Sequence, residues 1–443
     1  MGSTTSPHPQ QIGTARSALR VRAFRYVLLG SFMSQIGTWM QTIVLGAFIY
    51  DRTKSPLAVG VITFAQLGPM LFLPTVGGWM TDRFDVRKFI LIMQTWQVLC
   101  VLTLAYALAR PELYFTGVFL CVLGVGIGNA MIGPAWGSSV PSLVGPENLR
   151  AAVSLNSTQM NAARVIGPAI GGILFPIIGA SGVMLLNAAS FAFVMTAVYL
   201  VRFPARKPGA NTTSGLGGGI EMLREDPFVR RIIVSVFALA LFTLTFLYQL
   251  PTIAGANFGI DVESSAYGWL YACLGGGAVL GAIGLSTFLV RRDPFKVIRA
   301  GLIGVIVILG ILLFVRQAPL AYPLIFILGI SYQLVVIGLN ASAQSHVPLE
   351  RRGHLMGLWM TALGGMVPIG MLLAGTVAEH TSITVVIGYG CVVAVWVTWR
   401  LRPSKMLELE SESTRLGLAS TSQSCLRNDR SYERSCHAFV LHP

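Results

Sequence analysis

Residues 77–88 read GGWMTDRFDVRK, a short stretch of mixed charge between two long apolar runs. Two glycines come first, Asp82 and Arg83 follow, and Asp85, Arg87 and Lys88 complete it. The flanking runs, 57–81 and 89–109, are each long enough to cross the roughly 30 Å hydrocarbon core of a bilayer, which takes about 20 helical residues. The stretch therefore reads as a tight loop at a membrane edge. There a small residue lets two helices approach, and an acid can face basic side chains or the positive N-terminus of a neighbouring helix.

The rest of the chain repeats this pattern of long apolar runs and short charged breaks. Of 443 residues, 54% are hydrophobic and 11% charged, and the mean hydropathy is +0.68. A soluble protein carries about a quarter charged residues, so these charges cannot cover a water-facing surface. Windows of about 19 residues mark six segments at 24–50, 57–81, 89–109, 113–140, 151–177 and 180–201, and six at 232–256, 266–290, 297–315, 320–342, 355–378 and 382–399. The expected fold is an all-α membrane protein with twelve transmembrane helices in two six-helix bundles. Its parts are an N-terminal tail (1–22), a first bundle (23–201), a linker (202–231), a second bundle (232–401) and a disordered tail (402–443). In the linker, GANTTSGLGGG suits a flexible run and IEMLREDPFVRR an interfacial helix.

Basic residues orient the chain. With both termini cytoplasmic, 27 of the 32 Lys and Arg lie inside, whereas Arg52, Lys54, Arg110 and Arg316 lie outside and Arg164 falls within a segment. The positive-inside rule thus places a multi-pass protein in the inner, cytoplasmic membrane with both termini in the cytoplasm. The net charge of +14 is spread between apolar runs and forms no stripe suited to nucleic acid.

The loop at 77–88 resembles the signature loop of the major facilitator superfamily, G-x-x-x-D-R-x-G-R-R/K, with Gly78, Asp82, Arg83, Arg87 and Lys88 matching. Asp85 stands where that pattern has Gly, and the DRFD form is similar to the secretion-effector group that includes macrolide and siderophore exporters. The resemblance implies two halves that alternate access to a central site, with the loop clamping the cytoplasmic side and Asp82 stabilising the outward-facing state. An ordinary solvated basic loop is the alternative. ARVIGPAIGG (163–172) resembles the antiporter motif G-x-x-x-G-P-x-x-G-G at Gly167, Pro168, Gly171 and Gly172. Pro removes a helix hydrogen bond and the glycines leave a smooth face, which suits a rocking hinge or, alternatively, generic close packing. The motif accompanies exporters, so the resemblance implies export. The loop RRDPFKVIR (291–299) is a degraded echo of the signature in the second half.

Arg164 is the single ionisable residue deep in a segment, about 20 Å from its start. Such a charge marks a transport pathway that holds an anionic or carbonyl-bearing substrate, or a structural site in which the Arg satisfies backbone carbonyls and neighbours such as Asn161 and Asn187. Gln35 and Thr38 in segment one, Asn129 and Trp136 in segment four, Tyr248 and Gln249 in segment seven, and Tyr332 and Asn340 in segment ten could line a neutral, partly aromatic cavity. Each alone also fits an interhelical hydrogen bond. Proton coupling needs a titrating group, for which Asp51 and Glu379 are the candidates, although both lie toward the outer face.

The expected function is secondary export of an amphipathic organic compound of drug, macrolide or siderophore type, by proton antiport. The partners are that small molecule, the lipid bilayer and protons, and the expected state is a monomer. No cofactor or metal is implied, and no catalytic cluster supports an enzyme. An importer of the same fold, or a non-transporting receptor or scaffold, are the alternatives.

Overall fold

The computed structural model describes residues 14–201, 203, 216–287, 289, 292–348, 351–409 and 411. The described residues form sixteen α-helices with 3₁₀ and π turns and no strand. In the first half these are α1 (Ala15–Arg20), α2 (Arg22–Thr53), α3 (Pro56–Leu67), α4 (Leu73–Arg83), α5 (Val86–Leu108), α6 (Phe115–Ser142) and α7 (Leu149–Leu200). After the linker come α8 (Leu216–Glu225), α9 (Pro227–Ala238), α10 (Leu250–Phe258), α11 (Ser265–Thr287), α12 (Pro294–Leu312), α13 (Ala318–His346), α14 (Arg352–Met360), α15 (Met366–His380) and α16 (Ile383–Arg400).

Among the described residues, ten stretches are long and apolar enough to cross a membrane, and α3 with α4, bent by 47°, makes an eleventh. Helix α7 is 52 residues long and breaks at Gly179, whose φ of 68° is left-handed. Its two arms meet the same part of α2. A Cβ on Gly171 would lie 3.1 Å from the Met40 Cα, while Gly37, one turn away, faces Asn187 and Ser190. Helix α7 therefore doubles back, and its arms correspond to the fifth and sixth predicted segments.

Short capping residues start the helices. Ser55 precedes Pro56 and accepts from the Ala58 N–H at 3.1 Å. Asp226 and Asp293 each precede a proline and cap α9 and α12. A side-chain acceptor at the N-cap satisfies an orphan N–H, and Pro at N1 forfeits no bond.

The structure corrects several boundaries. The tail 1–22 contains α1, tied to the bundle by Ser17 Oγ donating to Asn148 Oδ1 at 2.5 Å. Of the flexible linker run, 209–215 lies outside the described residues and Leu216 already begins α8. The tail from 402 starts with a helical stretch, 403–409, in which Met406 is fully buried. Segment seven is not one helix: a π turn (Leu239–Thr243) and a 3₁₀ turn (Leu244–Leu247) separate α9 from α10. Segment two breaks at a 3₁₀ turn (Gly68–Leu71), and segment eleven carries a π turn (Thr361–Gly365). Proline at 69 and 251 accounts for two of these breaks, since it lacks the N–H that a continuing helix needs.

At the end of the molecule that carries α1 and the close of α16, here the terminal end, Asp226 accepts from Phe228 N at 2.9 Å and Val229 N at 3.1 Å. Its second oxygen lies 3.0 Å from Nε2 of His346, the last residue of α13. Burial works to raise the Asp226 carboxyl, but the bonds from His346, Val229 and Phe228 outweigh it and hold the group below its ordinary value. A depressed carboxyl adds stability that is complete above the ordinary value of 3.8 and is lost as pH falls through the lower native value. Asp226→Ala removes the cap as well. It is expected to cost about 1–2 kcal/mol and to flatten the acid limb of stability, measured by thermal unfolding in detergent between pH 3 and 7; an unchanged profile refutes this.

Candidate functional site

Where the two halves touch is set by small residues. At the far, distal end α3 runs against α15: Cβ atoms on Gly375 and Gly60 would lie 2.8 Å from the Pro56 carbonyl oxygen and 2.5 Å from that of Met371. The first arm of α7 runs against α11, with Gly172 and Gly268 backbone to backbone and Gly275 against Val165. Gly255 of α10 sits beneath the Tyr50 ring of α2. Polar bonds join the same end. Glu379 accepts from Ser55 Oγ at 2.7 Å and the Leu57 N–H at 3.4 Å, so a carboxylate sits on the N-terminus of α3. Gln249 Nε2 donates to the Pro56 carbonyl at 3.1 Å.

Toward the terminal end these contacts run out. Gly365, in the π turn of segment eleven, would meet Leu71, in the 3₁₀ turn of segment two, at 2.6 Å. Beyond it, Cβ atoms on Gly357, Gly364, Gly284, Gly133 and Gly137 would meet nothing within 4 Å. On the first arm of α7, Val153, Ser157, Met160 and Arg164 are exposed at helical spacing, so one face of this arm stands open below Val165. Among the described residues the halves are thus closed distally and parted toward the terminal end.

Arg164 lies at the level where they part. Its guanidinium carbon is 5.1 Å from the centre of the Trp39 ring on α2. In the other half, Tyr248 at the break between α9 and α10 and Tyr332 of α13 are half-buried. Phe246 meets Tyr332 edge-on, with centroids 6.5 Å apart. Gln35 is half-buried one turn from Trp39 on the same face. Of the structural partners read from sequence, Asn161 donates to the Ser157 carbonyl at 2.9 Å and Asn187 to Gln41 Oε1 at 2.7 Å. No ion pair among the described residues includes Arg164.

Other candidates are held elsewhere. Asn129 accepts from Gln97 at 2.7 Å, joining α5 to α6 inside the first half. Trp136 packs among Phe24, Phe89 and Ile132 toward the terminal end. Asn340 accepts from Gln344, about 12 Å along α13 from Tyr332. Thr38 bonds back to the Ser34 carbonyl at 3.0 Å, and Gln249 serves the distal contact just described. Trp39, absent from the candidates read from sequence, was signalled by its i, i+4 relation to Gln35.

In the antiporter-like motif, Gly167 and Gly171 fit against α2, whereas Gly172 faces Gly268 of the other half. Helix α7 remains helical through buried Pro168, and its one non-helical residue is Gly179. The motif therefore presents one smooth face to its own bundle and another to the partner bundle.

In the signature loop, the close approach is made by Gly77, whose Cβ would strike the Met131 carbonyl of α6; Gly78 is 3.9 Å from Pro134. Asp82 is exposed in the last turn of α4, and Arg83 stacks on Trp79 at 4.4 Å. Asp85 caps α5 through the Lys88 N–H at 2.8 Å, which explains an acid where the pattern has Gly. Arg87 donates to the Tyr199 carbonyl in the last turn of α7, a favourable place for a cation. Asp293 caps α12 in the same way, so DPFK (293–296) echoes DVRK (85–88); Arg291 lies outside the described residues.

The proton-coupling candidates both sit distally. Asp51 pairs with Lys54 at 2.7 Å, and that bond raises the lysine above its ordinary value. Across the mouth, Glu263 is raised by burial and then by the charge of Asp51.

The sequence model of the transmembrane secretion effector family matches residues 13–422. Multidrug efflux pump Tap of Mycobacterium tuberculosis is 23% identical over 382 residues, covering 82% of this chain and 88% of Tap. Enterobactin exporter EntS of Shigella boydii is 25% identical over 345 residues, covering 76% of this chain and 80% of EntS. A bacterial homologue of the iron transporter ferroportin, solved in an inward-facing state, superposes with a TM-score of 0.67 at 16% identity, over 88% of this chain and 99% of that one. Its likeness shows the major facilitator fold. The match across nearly the whole helical region makes this chain a member of the transmembrane secretion effector family, a multi-pass membrane transporter of the major facilitator superfamily.

Proposed function

We propose that this protein exports an amphipathic organic compound across the cytoplasmic membrane by alternating access, as a monomer with both termini in the cytoplasm. The bodies that rock are residues 23–201 and 232–401, joined by the linker 202–231. One observation carries the reading: among the described residues the halves meet at the distal end and part at the level of Arg164 and Trp39. The basic residues assign the parted end to the cytoplasm, so this geometry corresponds to a site open to the inside. Substrate enters from the cytoplasm or inner leaflet, and the halves then close behind it through the Asp82 loop while the α3–α15 contact opens. The efflux and siderophore-export activities named for Tap and EntS support the outward direction. Proton antiport would run through Asp51 or Glu379 at the distal mouth.

The test is accumulation of fluorescent drugs, macrolides and siderophores in efflux-deficient bacteria expressing wild type or Asp82→Asn at equal membrane levels. Wild type is expected to lower accumulation of at least one compound, and Asp82→Asn to lose about tenfold or more of that activity by destabilising the outward-facing state. Accumulation that rises with wild type means import. No movement of any compound, with Asp82→Asn indistinguishable from wild type, favours a receptor.

A further inference from the structure

We infer that the central site is built for an organic anion with a flat apolar body, and that export carries its negative charge outward, so that the membrane potential itself drives the transport step. The inference deepens the export reading and rests on it for direction alone.

All 18 Asp and Glu fall at helix ends, in loops, in the linker helix or in the tails, so the interior of every span lacks a carboxylate. Arg164 is thus a permanent cation at mid-depth without an internal counter-ion. Charges so placed are costly unless something neutralises them. Asn161 and Asn187 are bonded elsewhere, and no ion pair among the described residues reaches it. What it does have is the face of Trp39 at 5.1 Å, which attracts the cation and fixes the plane of the guanidinium while leaving its N–H fork free to bond.

The fork is exposed, on the open face of α7 where the halves part. A carboxylate, sulfonate or ionised phenol entering from the parted end meets a bidentate donor in a setting partly shielded from water, the strong class of hydrogen bond. The half-buried Tyr248 and Tyr332 of the other half, the latter backed edge-on by buried Phe246, and the Trp39 ring give aromatic surface to a flat body. An organic cation gains the same apolar contacts but is repelled by Arg164.

Energetic direction follows. With a resident arginine that stays charged throughout the cycle, the moving charge is the ligand's. An inside-negative potential of about 100 mV biases a monovalent anion outward by about fiftyfold at equilibrium. Proton uptake through Asp51 or Glu379 would add charge movement of the same sense.

The test uses three probes with one fluorophore: dansylglycine (anion), dansylglycinamide (neutral) and dansylcadaverine (cation). Binding to the purified full-length protein is read by energy transfer from tryptophan, and flux is read in proteoliposomes under potentials clamped with potassium and valinomycin. Dansylglycine is expected to bind at least tenfold tighter than the amide. Arg164→Gln should erase that preference, and Arg164→Lys, which keeps the charge but not the fork, should retain part of it. Dansylglycine efflux should accelerate as the inside is made negative. No anion binding, a preference for the neutral or cationic probe, or a preference that survives Arg164→Gln overturns the anion site. Efflux indifferent to potential overturns the driving force. Charge-selective binding without vectorial flux leaves the anion site standing and refutes the export reading instead.

Discussion

Gly172→Leu is expected to reduce transport about a hundredfold with the protein still folded in the membrane. Gly172 faces Gly268 backbone to backbone across the two halves, so a Cβ there falls on the Gly268 Cα. Overpacking costs about 1–3 kcal/mol when the neighbours can yield, but here the neighbour is helix backbone on another body. That body has a simple way to yield, which is to swing away, so distal closure is penalised by at least this amount. At 1.4 kcal/mol per factor of ten, the closed state falls by about one to two decades. The control lies five residues earlier on a different face of the same helix. Gly167 presses on Trp39 Cβ and the Ile36 carbonyl of its own half, so Gly167→Leu is expected to lower folded yield rather than shift the cycle. Labelling of Gln249→Cys by a membrane-impermeant maleimide separates the two effects, because Gln249 is fully buried in the distally closed state. The Gly172→Leu background should expose it against a control with Gln249 intact; unchanged labelling together with normal transport would sink the interpretation.

Much of the fold was legible because membrane helices announce themselves by length and polarity alone, and the resemblance rested on a loop whose charges stand out in an apolar chain. The breaks inside spans were less visible. Gly68-Pro69 and Leu250-Pro251 marked two of them, and Gly364-Gly365 with Pro368 marked the π turn at Thr361–Gly365, although glycine pairs elsewhere in this chain pack helices without breaking them; in space the π turn lies against the 3₁₀ turn Gly68–Leu71. The candidate site was legible only in part, for a physical reason. Periodicity places a residue on a face of its own helix, whereas convergence depends on how far each helix slides along its neighbours. Arg164 meets Trp39 of α2, one turn from Gln35. Asn129 and Trp136 share a helix and sit about 10 Å apart along it, one spent on Gln97 and the other on packing near the terminal end. The loop's departure from the family pattern also has a local cause, since Asp85 starts α5 and Asp293 starts α12 in the same way.

Glu379→Ala is expected to oppose Asp82→Asn, so that the double variant transports better than either single one. In the distally closed state Glu379 bonds Ser55 and the Leu57 N–H at the start of α3, contacts that must break when the distal side opens. A bond to a charged group is worth about 1.5–3 kcal/mol when shielded and less at an exposed mouth. A value near 1.4 kcal/mol, or tenfold in population, is the reasonable size of the shift toward the outward-open state. Asp82 is proposed to stabilise that same outward-open state from the other end, so removing its charge moves the balance the opposite way. Two changes of similar size and opposite sign restore a balanced equilibrium, and a transporter that must visit both states turns over fastest near balance. Spin labels at Glu112 and Phe314, exposed in distal loops of the two halves, report the equilibrium directly. Their separation should lengthen in Glu379→Ala, shorten in Asp82→Asn and return toward the wild-type distribution in the double variant. If the losses in transport simply multiply, the two sites do not act on one equilibrium, and Glu379 is then better read as a proton carrier, whose removal no change at Asp82 can repair.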